Sequence, residues 1–530
     1  MDDWMDWLAK PSSGAGITYS ALGTPARRIG YEELAELADR WGGAVPWQQA
    51  ETRDSVLIIA TPCAALFAAL FGLLSAGTDV CLIAPPGALG DKDTYAVHLR
   101  TALGAVRPSL VLCPERFAAA VKEVLDGFAG PVPVLAPLPE DGSPDPGVLR
   151  SAPLARAAGR GDLLQLTSGS SGAARCVQLA PEAVGANISG IARWLGTTTA
   201  DETVSWLPLY HDMGLIGTFL TAISEQMDLR VMEPAEFVRD PGGYLSLFGG
   251  GAGSITAMPP FGLELLLRRI DDRVLAGLDM SGLRSLIIGA ERIPPTLLDR
   301  FCDRFGPRGL DPGALCPAYG MAEATLAVTG SAPGEPLRTV TLDGPGAAEY
   351  VSCGRPLPGV DVRIVDPGGR EVTGHRQPGE IVVTSPATAR GYRGTPGRSA
   401  RLVGRELWTG DAGFLADGEL FVIGRIGDAV KVRGTWLFAE DLEARMDHPA
   451  FRQGRAAVLL GQEGDRIRVL LVHDRRVDLD PGPLVRHLAG QQPDAVLSVV
   501  GVAAREILKT SSGKPRRREM WLKFSPEGGE

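Results

Sequence analysis

Hydrophobic residues in the N-terminal half of the chain come in short continuous runs. Residues 56–60 (VLIIA), 80–84 (VCLIA) and 110–113 (LVLC) have the length of strands, and residues 64–76 form a longer apolar run. Such runs predict strands buried on both faces, as in parallel sheets, with a buried helix between the first two. The helix is shorter than the roughly 20 residues that cross a bilayer, so we expect layered α/β structure and no membrane span.

The pattern changes in the last third of the chain. From about 351 to 424, segments such as 360–366 (VDVRIVD) and 379–385 (GEIVVTS) alternate with Gly and Pro turns, which predicts a small antiparallel β unit. After residue 425 the composition becomes more charged. We therefore predict a large N-terminal α/β domain, residues 1–424, and a small α+β domain, residues 425–530.

Two Pro- and Gly-rich passages interrupt the hydrophobic pattern, at 129–147 and 330–346. Both are short and weakly charged. We predict that they are connections between elements rather than independent segments.

Composition excludes some classes of function. The 530 residues include 63 acidic and 53 basic side chains, and the net charge of -10 lacks the basic footprint of a nucleic-acid-binding protein. The seven scattered cysteines contain no C-x-x-C pair and indicate neither a disulfide framework nor a zinc site. The acidic N-terminus lacks the basic start and apolar run of a secretory signal, so we expect a cytoplasmic protein.

One loop carries candidate chemistry. Residues 166–177 (LTSGSSGAARCV) are a strand end followed by a Ser-, Thr- and Gly-rich loop. Glycines let a backbone approach phosphate closely, and hydroxyl and N–H groups donate to its oxygens. The Walker A pattern is absent, and such a loop alone is as often a simple connection.

Six later segments give that loop a context. They are 207–217 (LPLYHDMGLIG), 289–291 (GAE), 319–325 (YGMAEAT), 408–411 (WTGD), 424–434 (GRIGDAVKVRG) and 507–514 (ILKTSSGK). In this order and spacing they resemble the signature motifs of the adenylate-forming superfamily, which includes acyl-CoA synthetases, peptide-synthetase adenylation domains and luciferases. YHDMGLIG with YGMAEATL and VSCGRPLPG is most similar to fatty acyl-AMP ligases, which pass acyl adenylates to carrier proteins. The resemblance spans about residues 31–520.

The resemblance implies a ligase that uses ATP and Mg2+ to convert an acid into its acyl-AMP with release of pyrophosphate. The ATP phosphates would be held by Thr167, Ser168, Gly169, Ser170, Ser171, Gly172 and Arg175. Adenine would stack on Tyr319, in a pocket lined by Gly289, Ala290, Glu291, Gly320 and Met321. Arg175 stands where the family usually has Lys, and its planar fork presents the charge differently.

The remaining roles implied by the resemblance concern the reaction and the domain motion. Glu323 would bind Mg2+, and Asp411 would accept hydrogen bonds from the ribose hydroxyls. His211 would face the acid. Lys514 would be the catalytic lysine, between the attacking oxygen and the α-phosphate, on a C-terminal domain that rotates between half-reactions. Arg425 and Asp428 would belong to the interdomain element, with Arg425 near the ribose or phosphate of ATP and Asp428 at the hinge.

Each candidate also has a plain structural interpretation. Arg175 could be a surface charge, Tyr319 a core residue, Asp411 a turn residue, His211 a structural histidine, and Lys514 part of a basic tail. The chain could also be a non-catalytic scaffold protein, although retention of the two carboxylates and the lysine argues against it.

The acid and its acceptor stay open at the level of sequence. Fatty acyl-AMP ligases usually have a glycine pair and Pro-Asn-Phe where this chain has Ala257, Met258, Pro259, Pro260 and Phe261, which predicts a narrower channel and a compact acid. The segment 326–351 is shorter than in those ligases, which carry there an insertion thought to hinder use of CoA. Three acceptors follow: a carrier-protein thiol, CoA, or an aryl amine if nitrite is activated, as in diazotases. We expect a small-molecule acid and an acyl carrier protein as partners, neither nucleic acid nor membrane, and an undecided oligomeric state.

Overall fold

The computed structural model describes most of the chain. The described residues are 3–20, 25–46, 53–88, 92–139, 142–152, 154, 157–167, 175–250, 253–342, 348–372, 374, 376–393, 400–432, 435–463, 466–492, 495–509 and 514–525.

The helices are distributed along the whole chain. They are α1 Tyr31–Ala44, α2 Ala64–Ser75, α3 Lys92–Val106, α4 Ala118–Asp126, α5 Pro146–Ser151, α6 Pro181–Leu195, α7 Thr221–Ser224, α8 Pro234–Arg239, α9 Pro241–Leu245, α10 Pro260–Arg269, α11 Asp272–Ala276, α12 Pro295–Phe305, α13 Ala439–Met446, α14 Pro449–Arg452, α15 Gly482–Gln491 and α16 Arg517–Phe524. A π-helical segment, Met213–Leu220, precedes α7.

The strands of the described residues group into six sheets. They are β1 Gly16–Tyr19, β2 Arg27–Gly30, β3 Ser55–Ile59, β4 Asp79–Ile83, β5 Leu110–Cys113, β6 Val134–Pro137, β7 Leu163–Thr167, β8 Arg175–Leu179, β9 Glu202–Ser205, β10 Asp228–Val231, β11 Ile255–Met258, β12 Ser285–Ile288, β13 Leu315–Gly320, β14 Ala327–Gly330, β15 Thr339–Thr341, β16 Glu349–Val351, β17 Arg355–Pro356, β18 Asp361–Val365, β19 Gly379–Thr384, β20 Gly391–Arg393, β21 Arg401–Val403, β22 Glu406–Ala416, β23 Glu419–Arg425, β24 Ala429–Val432, β25 Thr435–Phe438, β26 Ala456–Glu463, β27 Arg466–Asp474 and β28 Val496–Val502.

Two large sheets form the body of the molecule. One has seven strands in the order β20-β8-β7-β4-β3-β5-β6, and the other has nine in the order β17-β14-β13-β12-β11-β9-β10-β1-β2. The central strands of both are parallel, with antiparallel pairs at edges. The largest hydrophobic cluster joins residues of both sheets and α2, whose residues 64–74 are all buried. The predicted strands β3, β4 and β5, the helix α2 and the α/β class are confirmed.

The two passages interpreted as connections each contain a strand. Residues 134–137 form β6, which pairs parallel with β5 at a sheet edge, and residues 339–341 form β15, which pairs with β16. The strand β6 was not predicted because its sequence contains Pro137, which an edge strand tolerates, since its missing N–H needs no ladder partner there.

The predicted antiparallel β unit is confirmed. β18, β19, β22 and β21 pair antiparallel in that order, and β23 pairs with β22. β22 and β23 carry Asp411 and Arg425 at directly opposed positions. The unit therefore positions two of the candidate site residues.

Residues beyond 425 build their own sheet of β26, β27 and β28. Side chains alternate along β27: Val469 and Leu471 pack in one cluster with residues of α13 and α15, and Leu470 and Val472 in another with Met520 of α16. Phe438 of β25 instead packs in a cluster with the β unit. The boundary at 425 stays a prediction.

Among the described residues, no helix combines the length and apolar character that a membrane crossing needs.

Close packing of α1 and α2 gives a stability prediction. A Cβ on Gly72 would lie 2.3 Å from the Ala38 carbonyl oxygen and 2.5 Å from the Trp41 Cβ. Gly72→Ala must separate the helices, and we expect it to lower the free energy of unfolding by about 1–3 kcal/mol in urea unfolding. Gly104→Ala in α3 is the control: a Cβ there meets nothing within 4 Å, so stability should stay level or rise. Equal effects of both changes would contradict the packing argument.

Candidate active site

The candidate residues gather where strands of the nine-stranded sheet end. β9, β12 and β13 belong to its parallel core, so their carboxyl ends share one edge. The segments that follow them contain His211, Glu291 and Glu323 respectively. In open α/β sheets this edge is where ligands bind.

The loop after β9 is held near the end that leads into the π-helical segment. Gln165 of β7 donates to the Tyr210 carbonyl over 2.9 Å, which ties the loop to the strand that leads into the Ser- and Gly-rich loop. Asp212 accepts from the Met213 N–H, where the π-helical segment begins, and π-helical turns are frequent at functional sites. His211 lies beside the Tyr210 ring, with ring centroids 5.0 Å apart.

The loop after β13 is held in a strained conformation. A Cβ on Gly320 would lie 1.9 Å from the Leu326 carbonyl oxygen, so only glycine fits. Thr325, a β-branched residue, has φ of 67°, and its hydroxyl donates to the Ala387 carbonyl over 2.6 Å. Such strain persists only where the surroundings impose it, and it clusters at active sites.

Tyr319, Asp411 and Arg425 form one connected group. The Tyr319 hydroxyl donates to Asp411 Oδ2 over 2.8 Å, and Arg425 Nε lies 3.0 Å from Asp411 Oδ1. Burial, with the Asp411 charge, raises the pKa of Tyr319, so its hydroxyl stays a donor. The same carboxylate raises the pKa of Arg425. Asp411 is thus a buried acceptor with two partners, not a solvent-facing turn residue.

Arg175, Tyr392 and Glu323 form a second group. The Tyr392 hydroxyl donates to Glu323 Oε1 over 2.7 Å and accepts from Arg175 Nη1 over 3.2 Å. The Arg175 guanidinium lies 5.1 Å over the Tyr392 ring and 3.9 Å from Glu323. Both charged side chains are at most 7% exposed, so Arg175 is not a surface charge.

The phosphate loop itself lies mostly outside the described residues, including Ser168, Gly169, Ser170, Ser171 and Gly172. Thr167 ends β7, and its buried hydroxyl has no hydrogen-bond partner among the described residues. A buried hydroxyl that lacks a partner among the described residues, on a strand position opposite Arg175, fits a site for phosphate oxygens.

Lys514 lies close enough to several charged groups for them to affect its titration. Burial, with the nearby Arg425 charge, lowers the pKa of Lys514, while Glu291, Asp411 and Asp212 oppose that effect. Those carboxylates belong to three different segments of the N-terminal part. The structure therefore brings the candidate lysine to the candidate ATP site. Asp428 lies 3.6 Å from Arg517, and its charge also acts on Arg425.

The sequence profile of the AMP-binding enzyme family matches residues 14–393. The chain belongs to this family. The 4-hydroxyphenylalkanoate adenylyltransferase of Mycobacterium tuberculosis is 31% identical over 523 residues, which cover 89% of this chain and 82% of the relative. The medium-chain-fatty-acid–[acyl-carrier-protein] ligase JamA of Moorena producens is 29% identical over 539 residues, which cover 94% and 90%.

A solved structure from studies of fatty acyl-adenylate ligases of E. coli and L. pneumophila is 26% identical, with a TM-score of 0.84 over 99% of this chain and 97% of that one. The resemblance inferred from the motifs is thereby confirmed. This AMP-binding enzyme is an adenylate-forming ligase of the acyl-AMP ligase type, and it uses ATP.

Tyr392 and Gln165 are polar contacts of the site that sequence reasoning missed. Tyr392 follows a glycine in a short edge strand, β20, and only the pairing of β20 with β8 brings it to Arg175. Its position in a Gly-Tyr-Arg stretch between turns was the one available signal, and it is weak.

Tyr392→Phe tests the second group of this AMP-binding enzyme. The change removes a hydrogen bond to a buried carboxylate, and such bonds contribute about 1.5–3 kcal/mol, so we expect adenylation to slow roughly 10-fold or more. Pyrophosphate release at varied Mg-ATP concentration measures the effect. Tyr95→Phe is the control, because the buried Tyr95 hydroxyl has no partner among the described residues. Unchanged turnover by Tyr392→Phe would show that Glu323 needs no orientation by this tyrosine.

Proposed function

We propose that this AMP-binding enzyme adenylates a compact acid and passes the acyl group to a carrier-protein thiol. The observation that supports a compact acid is the aromatic packing behind the loop after β9. Trp206 stacks on Phe237 with ring centroids 4.2 Å apart and an interplanar angle of 9°, and Phe261 meets its edge at 5.6 Å. Met258 is buried against the same group.

Met258 stands where fatty acyl-AMP ligases usually have glycine, so this packing would narrow a channel for the acid. A Cβ on Gly262 would already lie 3.1 Å from Trp206 and 3.2 Å from Met258. Interiors are close-packed, so a channel here must end early. A short or aryl acid fits this arrangement better than a long fatty acid.

The two groups of the site suggest how ATP is held. Thr167, Arg175 and the loop between them would bind the phosphates, and Glu323 would hold Mg2+, which neutralises phosphate charge when bound. Asp411 accepts one bond at each oxygen from Tyr319 and Arg425, and each carboxylate oxygen can accept another, so ribose hydroxyls have acceptors. Tyr319 would carry the adenine on its ring.

The chemistry requires an oxyanion of the acid to attack the α-phosphorus as pyrophosphate leaves. The Lys514 ammonium would stabilise the charge that moves between these oxygens. His211 and Asp212 in the loop after β9 would border the acid.

The acceptor rests on relatives rather than geometry. JamA is a ligase that uses an acyl carrier protein, and this supports a carrier-protein thiol. CoA stays an alternative because of the short 326–351 segment. A diazotase, which activates nitrite for transfer to an aryl amine, is the second candidate. Nitrite has no hydrocarbon chain, so a pocket closed by these aromatic side chains would accept nitrite as well as a compact carboxylic acid.

Pyrophosphate release from Mg-ATP tests the proposal against fatty acids of graded length, aryl acids, and nitrite with an aryl amine. We expect release with short or aryl acids, followed by transfer to a holo-carrier protein rather than CoA. Release with long fatty acids alone would overturn the compact-acid proposal, and release with nitrite alone would replace it with the diazotase.

Pocket variants sharpen that test. Met258→Ala at the carboxyl end of β11 should shift the preference towards longer acids. Met280→Ala is the matched control, because Met280 is a buried methionine of the same cluster before the amino end of β12. A similar shift with both variants would indicate general loosening rather than a pocket at Met258.

The lowered pKa of Lys514 predicts a pH dependence. Only the charged ammonium stabilises developing negative charge, so adenylation should fall as pH rises through the lowered pKa of Lys514, below the pH at which free lysine titrates. Lys514→Arg should keep part of the rate and lose this alkaline limb, since Arg stays charged. Lys509→Arg, at an exposed lysine nearby, is the control. An alkaline limb that persists in Lys514→Arg would assign it to another group.

Lys514→Ala completes the set. It should fold and bind ATP but lose adenylation by roughly 100-fold or more, because the cation acts mainly in the transition state. Thermal unfolding with and without ATP, together with pyrophosphate release, separates the two effects. Normal turnover would remove Lys514 from the mechanism.

A further inference from the structure

We propose that Asp441 is a positioning residue, held by Arg292 and Tyr350, that keeps the C-terminal part in the orientation in which Lys514 enters the site. The inference rests on the proposed role of Lys514 in adenylation. None of these three residues belongs to the motifs described above.

The three side chains form a compact interdomain contact. Arg292 Nη1 lies 2.5 Å from Asp441 Oδ1, and the Tyr350 hydroxyl donates to the same carboxylate over 3.1 Å. The Arg292 guanidinium lies 4.8 Å over the Tyr350 ring. The charged side chains are 19% and 17% exposed, so solvent screens the pair only partly.

On the N-terminal side, this contact is joined directly to the site. Arg292 follows Glu291, whose carboxylate acts on Lys514, and Ala290 before it has φ of 68°. The two neighbours therefore serve different partners: Glu291 acts on the catalytic lysine, and Arg292 holds the helix of the other domain.

On the C-terminal side, α13 connects Asp441 with the chain that carries Lys514. Arg517 Nη1 lies 2.8 Å from Glu440, and Arg517 Nη2 lies 2.9 Å from Glu443. Arg517 also donates to the Val458 carbonyl over 3.2 Å. It stands three residues after Lys514, so a helix held at Asp441 also fixes the start of α16 and the lysine before it.

A second ion pair joins the N-terminal part to the C-terminal part. The orienting role of Asp441 can therefore be distinguished from simple attachment of the two parts. Arg452 Nε lies 2.7 Å from Glu264 of α10. Loss of the Asp441 contact should therefore loosen the orientation without detaching the domain. Hydrogen bonds between charged groups are stronger than those between neutral groups. The Arg292–Asp441 contact can therefore favour one orientation of the C-terminal part over another.

Hydrogen exchange measured by mass spectrometry tests the contact without any acid substrate. In Asp441→Asn, we expect faster exchange than wild type in peptides covering 289–293 and 439–446, with unchanged exchange in 456–474, the β26–β27 pair. Tyr350→Phe, which removes only the hydroxyl, should show a smaller change in the same peptides. Asp366→Asn, in an exposed pair with Arg370, is the control and should change neither peptide. Wild-type exchange in both Asp441→Asn and Tyr350→Phe would overturn the proposal.

Activity then distinguishes positioning from plain stabilisation. Asp441→Asn should lower the rate of pyrophosphate release roughly 10-fold, with the KM for ATP unchanged, and should have no further effect when combined with Lys514→Ala. A further 10-fold loss in the Lys514→Ala background would overturn positioning through the lysine. If no acid in the panel were adenylated, the proposed function would fail, while hydrogen exchange would still decide whether the contact exists.

Discussion

The candidate site depends on the interactions of one buried group, the carboxylate of Asp411. It joins Tyr319 at the edge of the nine-stranded sheet, Arg425 at the end of the β unit, and, through its charge, Lys514 from the C-terminal part. A buried charge is stable only when it is paired and hydrogen-bonded. The need to satisfy this one group therefore holds three segments of the chain in a fixed relation.

Charged groups also interact across the rest of the cleft. Carboxylates from three segments of the N-terminal part act on Lys514, and Arg425 opposes them. Burial in the cleft lowers the pKa of Lys514, and the neighbouring carboxylates favour its charged form against that effect. Docking of the C-terminal part and the protonation of Lys514 are thus linked, because the burial that lowers this pKa depends on docking.

Sequence predicted the residues whose roles are local. Tyr319 and Asp411 stand in short motifs that lie at the end of β13 and within β22, and continuous apolar runs located the strands around α2. Tyr392 and the Arg292–Asp441 contact could not be predicted, because each depends on which distant segments pack together. The strand β6 was missed because its proline-rich sequence is typical of a connection, although an edge position permits it.

The left-handed backbone of Thr325 has a consequence for engineering this fold. A glycine there would remove steric strain and is the kind of change that raises thermal stability. It would also remove the hydroxyl anchor to Ala387 and give the loop that carries Glu323 more conformations to sample. Heat tolerance gained at this position would come with a less ordered carboxylate, so the most stable version of this loop and the most active one should have different sequences.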